Sequence, residues 1–135
     1  MDIFEMFYDD KQNLDFVFDQ INNRNFQILP ETISTGPIFK ILFEGNLAKD
    51  GYEKGFLVIP KGSSIKEHTH IEDIEEYTLL TGNLSIKGEN MNKNRCFTLE
   101  KHSIDPVSEF TVIKTIKIKN ELISNLQTKT YKKTI

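Results

Sequence analysis

Two textures divide the chain. Leu14, Val17, Phe18 and Ile21 recur at intervals of three and four, the spacing of one apolar face of an α-helix. The pattern predicts a helix with Asn13 as its N-cap and Asn22–Asn23 at its end. Ile3, Phe4 and Phe7 extend the same face or form an earlier turn. A face this rich in phenylalanine needs cover, from the outer face of a sheet in the same chain or from a second subunit.

From about Phe26 the pattern changes to short strands and turns. In "PIFKILFEG", Phe39, Ile41 and Phe43 alternate with Lys40 and Leu42, and "DGYEKG" at 50–55 carries turn residues at both ends. "FLVIPKG" reads as a strand closed by a proline and a glycine, and "SIKEHTH" and "IEEYTLLTG" form the next pair. "NLSIKGENMNKNRCFTL" reads as strand, loop, strand, and "FTVIKTIKI" at 110–118 as a strand that is apolar on parts of both faces. Several short strands at close spacing, with no second helical block, predict a sandwich or small barrel. The organisation expected is a helical extension over 1–25, a β-barrel over 26–120 and a tail over 121–135.

Composition narrows the classes. A length of 135 residues fits one domain, and 38% hydrophobic with 27% charged residues is ordinary for a globular chain. A formal net charge of −3 supplies no large basic field for nucleic acid or an anionic membrane. The one basic concentration, "KTYKKTI" at the C-terminus, reads as a solvated tail. The single cysteine, Cys96, excludes an internal disulfide, fits a reducing compartment and reads as a small buried apolar residue. No apolar run approaches the ~20 residues that span a bilayer. Asp2 and Glu5 stand where a secretory signal would carry Lys or Arg. These features point to a cytoplasmic protein. There is no Ser-His-Asp or Cys-His set, no glycine-rich phosphate loop and no tetrathiolate pattern.

The chemistry concentrates in "HTHIEDIE", residues 68–75, which holds two of the three histidines. On a strand, residues i and i+2 share a face, so His68 and His70 aim their imidazoles at one point. A turn through Ile71–Asp73 then returns the chain with an acidic residue facing that point. Two imidazoles and a carboxylate suit a divalent transition metal such as Fe, Mn, Ni, Co or Zn.

The spacing around the pair is more specific. Gly62 is followed by five residues, His68, one residue, His70, four residues, Glu75, six residues and Gly82. This resembles the first motif of the cupin superfamily, G-x5-H-x-H-x3–4-E-x6-G, at all five fixed positions. The resemblance implies an all-β jelly-roll (double-stranded β-helix) barrel with a short N-terminal helical segment. It implies His68, His70 and Glu75 as metal ligands and Gly62 and Gly82 as turn glycines. Glu76 competes with Glu75 but would face outward, and Glu72, Asp73 and Glu76 are then turn and surface.

The family's second motif, G-x5-P-x-G-x2-H-x3-N, can be laid on the chain in two registers. The first makes His102 the next metal ligand, with Phe97, Leu99 and Pro106 at the Pro, Gly and Asn positions, and it requires a shortened hairpin after Gly82. The second aligns Pro106 with the Pro, Ser108 with the Gly and Thr111 with the His, and leaves the metal without a third imidazole. The first is preferred, because the strand "FTVIKTIKI" follows His102 as the family's chain continues.

Two side chains are candidates for catalysis. Lys66 has the parity of the histidine pair and could meet an anion at the barrel mouth. Tyr77 shares the parity of Glu75 and could act as a hydrogen-bond donor or acid. The expected function is a small metalloenzyme of dioxygenase, isomerase or lyase type acting on a small polar molecule. The other readings are a non-catalytic module that binds a small ligand or metal, and a vestigial site on a barrel acting through oligomer contacts. The resemblance also implies homodimerisation through the barrel sheets.

Overall fold

The computed structural model describes residues 9–91, 94–97 and 101–119, with the backbone alone for 94–97. Ile3, Phe4 and Phe7, the 121–135 tail with its basic stretch, and the side chain of Cys96 lie outside the described residues.

The amphipathic segment forms α1 (Asp10–Asn22), capped by Asp9, whose Oδ1 accepts from Gln12 N at 3.1 Å. The helix therefore starts a turn before the expected N-cap. Asn13 is an interior helical residue and fully buried. The apolar period begins only at the buried face, so the polar first turn escaped it, whereas an aspartate before a polar turn is itself a cap signal.

The strands are β1 (Gln27–Ile28), β2 (Ser34–Thr35), β3 (Phe39–Asn46), β4 (Tyr52–Ile59), β5 (Ser64–His68) and β6 (Asp73–Thr81). They continue as β7 (Ser85–Ile86), β8 (Glu89–Asn90), β9 (Asn94–Phe97), β10 (His102–Ile104) and β11 (Thr111–Lys119). A four-residue helix, α2 (Leu47–Asp50), interrupts β3 and β4 where only a turn was expected. Asn46 caps it by accepting from Lys49 N at 2.9 Å, local bonding that composition alone does not reveal.

Two antiparallel sheets face each other: a six-stranded one in the order β1-β3-β4-β11-β6-β9 and a five-stranded one in the order β2-β5-β10-β7-β8. "FLVI" in β4 is continuously apolar because both faces of that strand are covered. Leu57 and Ile59 point between the sheets with Ile65, Tyr77, Ile104 and Ile113. Phe56 and Val58 point outward to a second cluster with Val17, Ile41 and Val112, flanked by Phe16, Ile21 and Phe43. Phe16 meets Phe43 edge-on, with ring centroids 5.2 Å apart at 88°. Phe16, Val17 and Ile21 of α1 are thus covered by the outer face of the six-stranded sheet in the same chain, whereas Phe18, expected on that face, is 47% exposed and stacks on Phe110.

Two tight backbone features follow β6. Gly82 ends its strand at φ +89°, and a Cβ there would meet the Thr111 side chain and come within 2.6 Å of Phe110 O. Both the left-handed backbone and the close approach demand glycine. The hairpin after it is short. β7 and β8 are two residues each, joined through Lys87 (φ 52°) and Gly88 (φ 84°), the two-positive-φ loop of a tight hairpin.

Candidate metal centre

Three strands and one turn bring the histidines and carboxylates together. β5 ends at His68, and His102 at the start of β10 is its direct cross-strand partner. Along this pair Ile104 opposes Ile65 while His102 opposes His68. β5 therefore spans three residues where β10 spans two, which is a β-bulge. The extra residue lets Ile65 and His68 both face the barrel interior. His70 lies in the turn beyond the strand and folds back, so that His68 Nε2 and His70 Nε2 are 3.1 Å apart.

Glu75 and Tyr77 reach the same place from β6, both about 1% exposed. Glu75 Oε2 is 2.6 Å from His70 Nε2, and Asp73 Oδ1 is 2.7 Å from His70 Nδ1. Both contacts are short, yet neither buried oxygen receives an aligned N–H. Lys117 on β11, the cross-strand neighbour of Glu75, holds Nζ 3.8 Å from Oε2. The His102 ring is buried, with its centroid 4.2 Å from that of His68 and 5.1 Å from that of His70.

The donor atoms of His68, His70 and His102 all lie within 4.8 Å of one another, as do those of His70, Asp73 and Glu75. His68 Nδ1 is 2.8 Å from Lys66 O. A backbone carbonyl can only accept, so this contact places the proton on Nδ1 and leaves the Nε2 lone pair facing His70. Two nitrogens bound to one transition metal at ~2.0–2.1 Å sit roughly 3.3 Å apart in a tetrahedral shell. The 3.1 Å separation of the two Nε2 atoms fits that spacing, and the residues present can accept such an ion.

Beside the cluster is a cavity of about 70 Å³, lined by His68, His70, Glu75, Tyr77 and Lys117 together with the apolar Leu29, Ile33, Leu57 and Ile65. This is room for a few waters or a small ligand.

The electrostatics follow from burial and charge. Burial opposes the charged form of His70, but its contacts with Asp73 and Glu75 outweigh that and raise its pKa from 6.5 to about 9. Burial opposes ionisation of Glu75, yet His70 and Lys117 hold its pKa below the ordinary glutamate value of 4.5. Desolvation, with the Glu75 charge and a hydrogen bond to it, pushes the Tyr77 phenol well above 10. Tyr77 is therefore a neutral donor locked onto Glu75.

These shifts give a stability prediction for metal-free protein. His70 has a folded value above its unfolded one, so its contribution is complete below pH 6.5 and lost as pH rises through about 9. Glu75 has a folded value below its unfolded one, so its contribution is present above pH 4.5 and lost as pH falls below it. Thermal melts under chelator are expected to show Tm falling between pH 6.5 and 9, and His70→Gln should flatten that fall. A wild-type Tm that rises across the window contradicts the charge pairing.

The sequence matches no protein-family model and no curated protein. Solved structures do resemble it. An acetylacetone dioxygenase from Acinetobacter johnsonii aligns at TM-score 0.58 and 18% identity, over 70% of this chain and 68% of that one. A protein described as a predicted oxalate decarboxylase from Thermotoga maritima aligns at TM-score 0.58 and 18% identity, over 70% and 91%. The cupin domain of Schizosaccharomyces pombe Cnp3 aligns at TM-score 0.55 and 11% identity, over 76% and 74%.

The chain has the cupin fold. Within this cupin barrel, the first-motif residues His68, His70 and Glu75 meet as the spacing implies, and Glu76 lies on the opposite face of β6. His102 joins them. Thr111, its rival in the other register, is at the far end of β11, where its Oγ1 donates to Asn83 O at 2.9 Å. Lys66 does not join them. The bulge reverses its parity, leaving it exposed with Nζ donating to Glu31 O at 2.8 Å.

Two residues at the centre were not foreseen. Asp73 was assigned to the turn, but it shares the parity of Glu75 and Tyr77 and holds the far nitrogen of His70. Lys117 follows Ile113 and Thr115 on the inward face of β11. Strand parity alone could have flagged both.

Proposed function

We propose that this cupin barrel binds one divalent transition metal through His68, His70, Glu75 and His102 and acts on a small polar molecule as a metalloenzyme of dioxygenase, isomerase or lyase type. The convergence of three imidazoles and one buried carboxylate beside a small cavity carries the reading. When bound, the ion would supply Lewis-acid polarisation, activation of a bound water or, as iron, oxygen chemistry. The chain's own residues prepare the site. The Lys66 carbonyl fixes the tautomer of His68, Asp73 orients His70, and Tyr77 and Lys117 hold Glu75 ionised. Leu29, Ile33, Leu57 and Ile65 limit the water that can enter. The dioxygenase and the decarboxylase-like protein among the structural neighbours share the fold at low identity and do not choose the reaction.

A second reading, a non-catalytic module that binds a metal or small ligand, is favoured by one observation. Neither side chain first considered for acid–base work is suited to it, since Tyr77 is locked as a phenol and Lys66 faces away. Cytoplasmic location and pairing of two copies belong to both readings. The lone cysteine supports the first, and the exposed Ile28 and Leu42, 64% and 49% accessible, offer apolar surface for the second. Among the described residues, no helix is long and apolar enough to cross a membrane.

Elemental analysis of protein purified without added metal, and after loading with Fe, Mn, Ni, Co or Zn, is expected to find about one ion per chain. No metal above background under any loading removes the proposal. Fast-exchanging water in the proton relaxation of Mn-loaded protein would mark the open position that an enzyme needs, and a closed shell would favour a structural ion.

Asp73→Asn tests the orienting carboxylate. It is expected to weaken metal binding by about 10–100-fold, the usual cost of losing the carboxylate that sits against a ligand imidazole's outer nitrogen. Calorimetric titration measures it, and an unchanged affinity means that His70 is oriented without Asp73.

A further inference from the structure

We infer that the ligand taken up beside the metal is a small monoanion, a carboxylate of a few heavy atoms, and that Lys117 is the residue that selects it. The inference rests on the metal-centre reading above.

Lys117 lies on the wall of the cavity, which it shares with His68, His70, Glu75 and Tyr77. Its side chain is 23% exposed, and Nζ stands 3.8 Å from Glu75 Oε2, too far for a tight hydrogen-bonded pair. On the neighbouring strand, its cross-strand partner Glu53 is already engaged by Lys40 Nζ at 2.9 Å. That pair is neutral and leaves the Lys117 charge uncompensated from its side.

Asp73, Glu75 and Lys117 together carry one net negative charge around the cluster. Imidazoles that bind a metal do so neutral. A divalent ion therefore turns the cluster into one with a single net positive charge inside a largely buried site. Glu75 is then committed to the ion, and its hold on the Lys117 ammonium weakens. A surplus charge in a partly buried site is costly, and a monoanion reaching both the ion and Lys117 cancels it.

Shape gives the second half. The rest of the cavity lining is apolar, from Leu29, Ile33, Leu57 and Ile65. It suits a short hydrocarbon body and has no side-chain donor for a second polar end. The volume of about 70 Å³ admits an acetate-sized molecule. The expected ligand has one charged end toward the ion and Lys117 and one short apolar end toward the leucines and isoleucines.

Cobalt-loaded protein, with its metal content measured, is titrated with sodium acetate and with acetamide, of similar shape but neutral. Calorimetry and the cobalt visible spectrum are the readouts. Wild-type protein is expected to bind acetate with a spectral change and to bind acetamide at least about tenfold more weakly. Lys117→Met, loaded to the same cobalt content, is expected to lose about tenfold or more in acetate affinity, the size of one hydrogen bond to a charged group. Equal binding of acetate and acetamide, equal binding of acetate by wild type and Lys117→Met, or no acetate binding by loaded wild type each overturns the inference while the metal centre stands. If wild-type protein takes up no cobalt or other ion, the charge surplus never arises, and the metal reading fails together with this one.

Discussion

His102→Ala is expected to lower transition-metal affinity by about a hundredfold or more, since it removes one of four donors from the cluster. His102 comes from β10, whereas His68, His70 and Glu75 come from the β5–β6 region, so it closes the ligand set across the sheet. Its ring is 1% exposed, and truncation also opens a hole costing ~1–3 kcal/mol in metal-free stability. His102→Gln keeps much of the volume and separates the two effects, because it should fold near wild type and still bind metal weakly. Competition titration against a chelator measures the affinity, and denaturant unfolding measures the fold. Wild-type affinity in folded His102→Ala would mean that His102 is an ordinary buried histidine.

The largest expected effect on stability comes from Gly82→Ala. Its backbone sits at φ +89°, and the new Cβ would overlap the Thr111 side chain and lie 2.6 and 2.7 Å from Phe110 O and Thr111 Cα. Two of those three atoms are backbone and cannot swing away. Backbone strain of ~1–3 kcal/mol adds to an overpacking cost of similar size, so a loss of about 3 kcal/mol or more is expected. Gly62→Ala is the control. It has the same sign of φ, at +88°, but open space where its Cβ would go, so only the conformational cost applies, about 1 kcal/mol. Equilibrium unfolding of the two variants compares them. Equal losses would show that the approach of β6 to Thr111 is not a constraint.

The first motif was the most legible part of the chain because its constraints are local. Gly62 and Gly82 are set by backbone angle, His68 and Glu75 by the faces of their own strands, and all four can be read from spacing. Lys66 was misplaced for a physical reason: alternation holds only while the register holds, and the bulge between Ile65 and His68 breaks it. The bulge depends on β10, about 35 residues downstream, so nothing in "SIKEH" announces it. Asp73 and Lys117 escaped for another reason. Their charges read as surface until β6 and β11 are placed side by side, where Lys117 becomes the neighbour of Glu75. His102 could be weighed but not fixed from sequence. Its motif neighbours are replaced, and the short β7–β8 hairpin that brings it into range appears only once its two-residue strands pair. The helix was legible at Val17 and Ile21 but misjudged at Phe18, which is exposed while Phe16 packs on the sheet, and in its first turn, where the cap is a polar residue outside the apolar period.

The most direct test of the metal centre is X-ray absorption at the edge of whichever ion the protein takes up. The account predicts about three imidazole nitrogens and one or more oxygens near 2.0–2.2 Å, with the imidazole scattering reduced by one ring in His102→Gln. A shell of oxygens without imidazole scattering, or one unchanged by the His102 substitution, would contradict it.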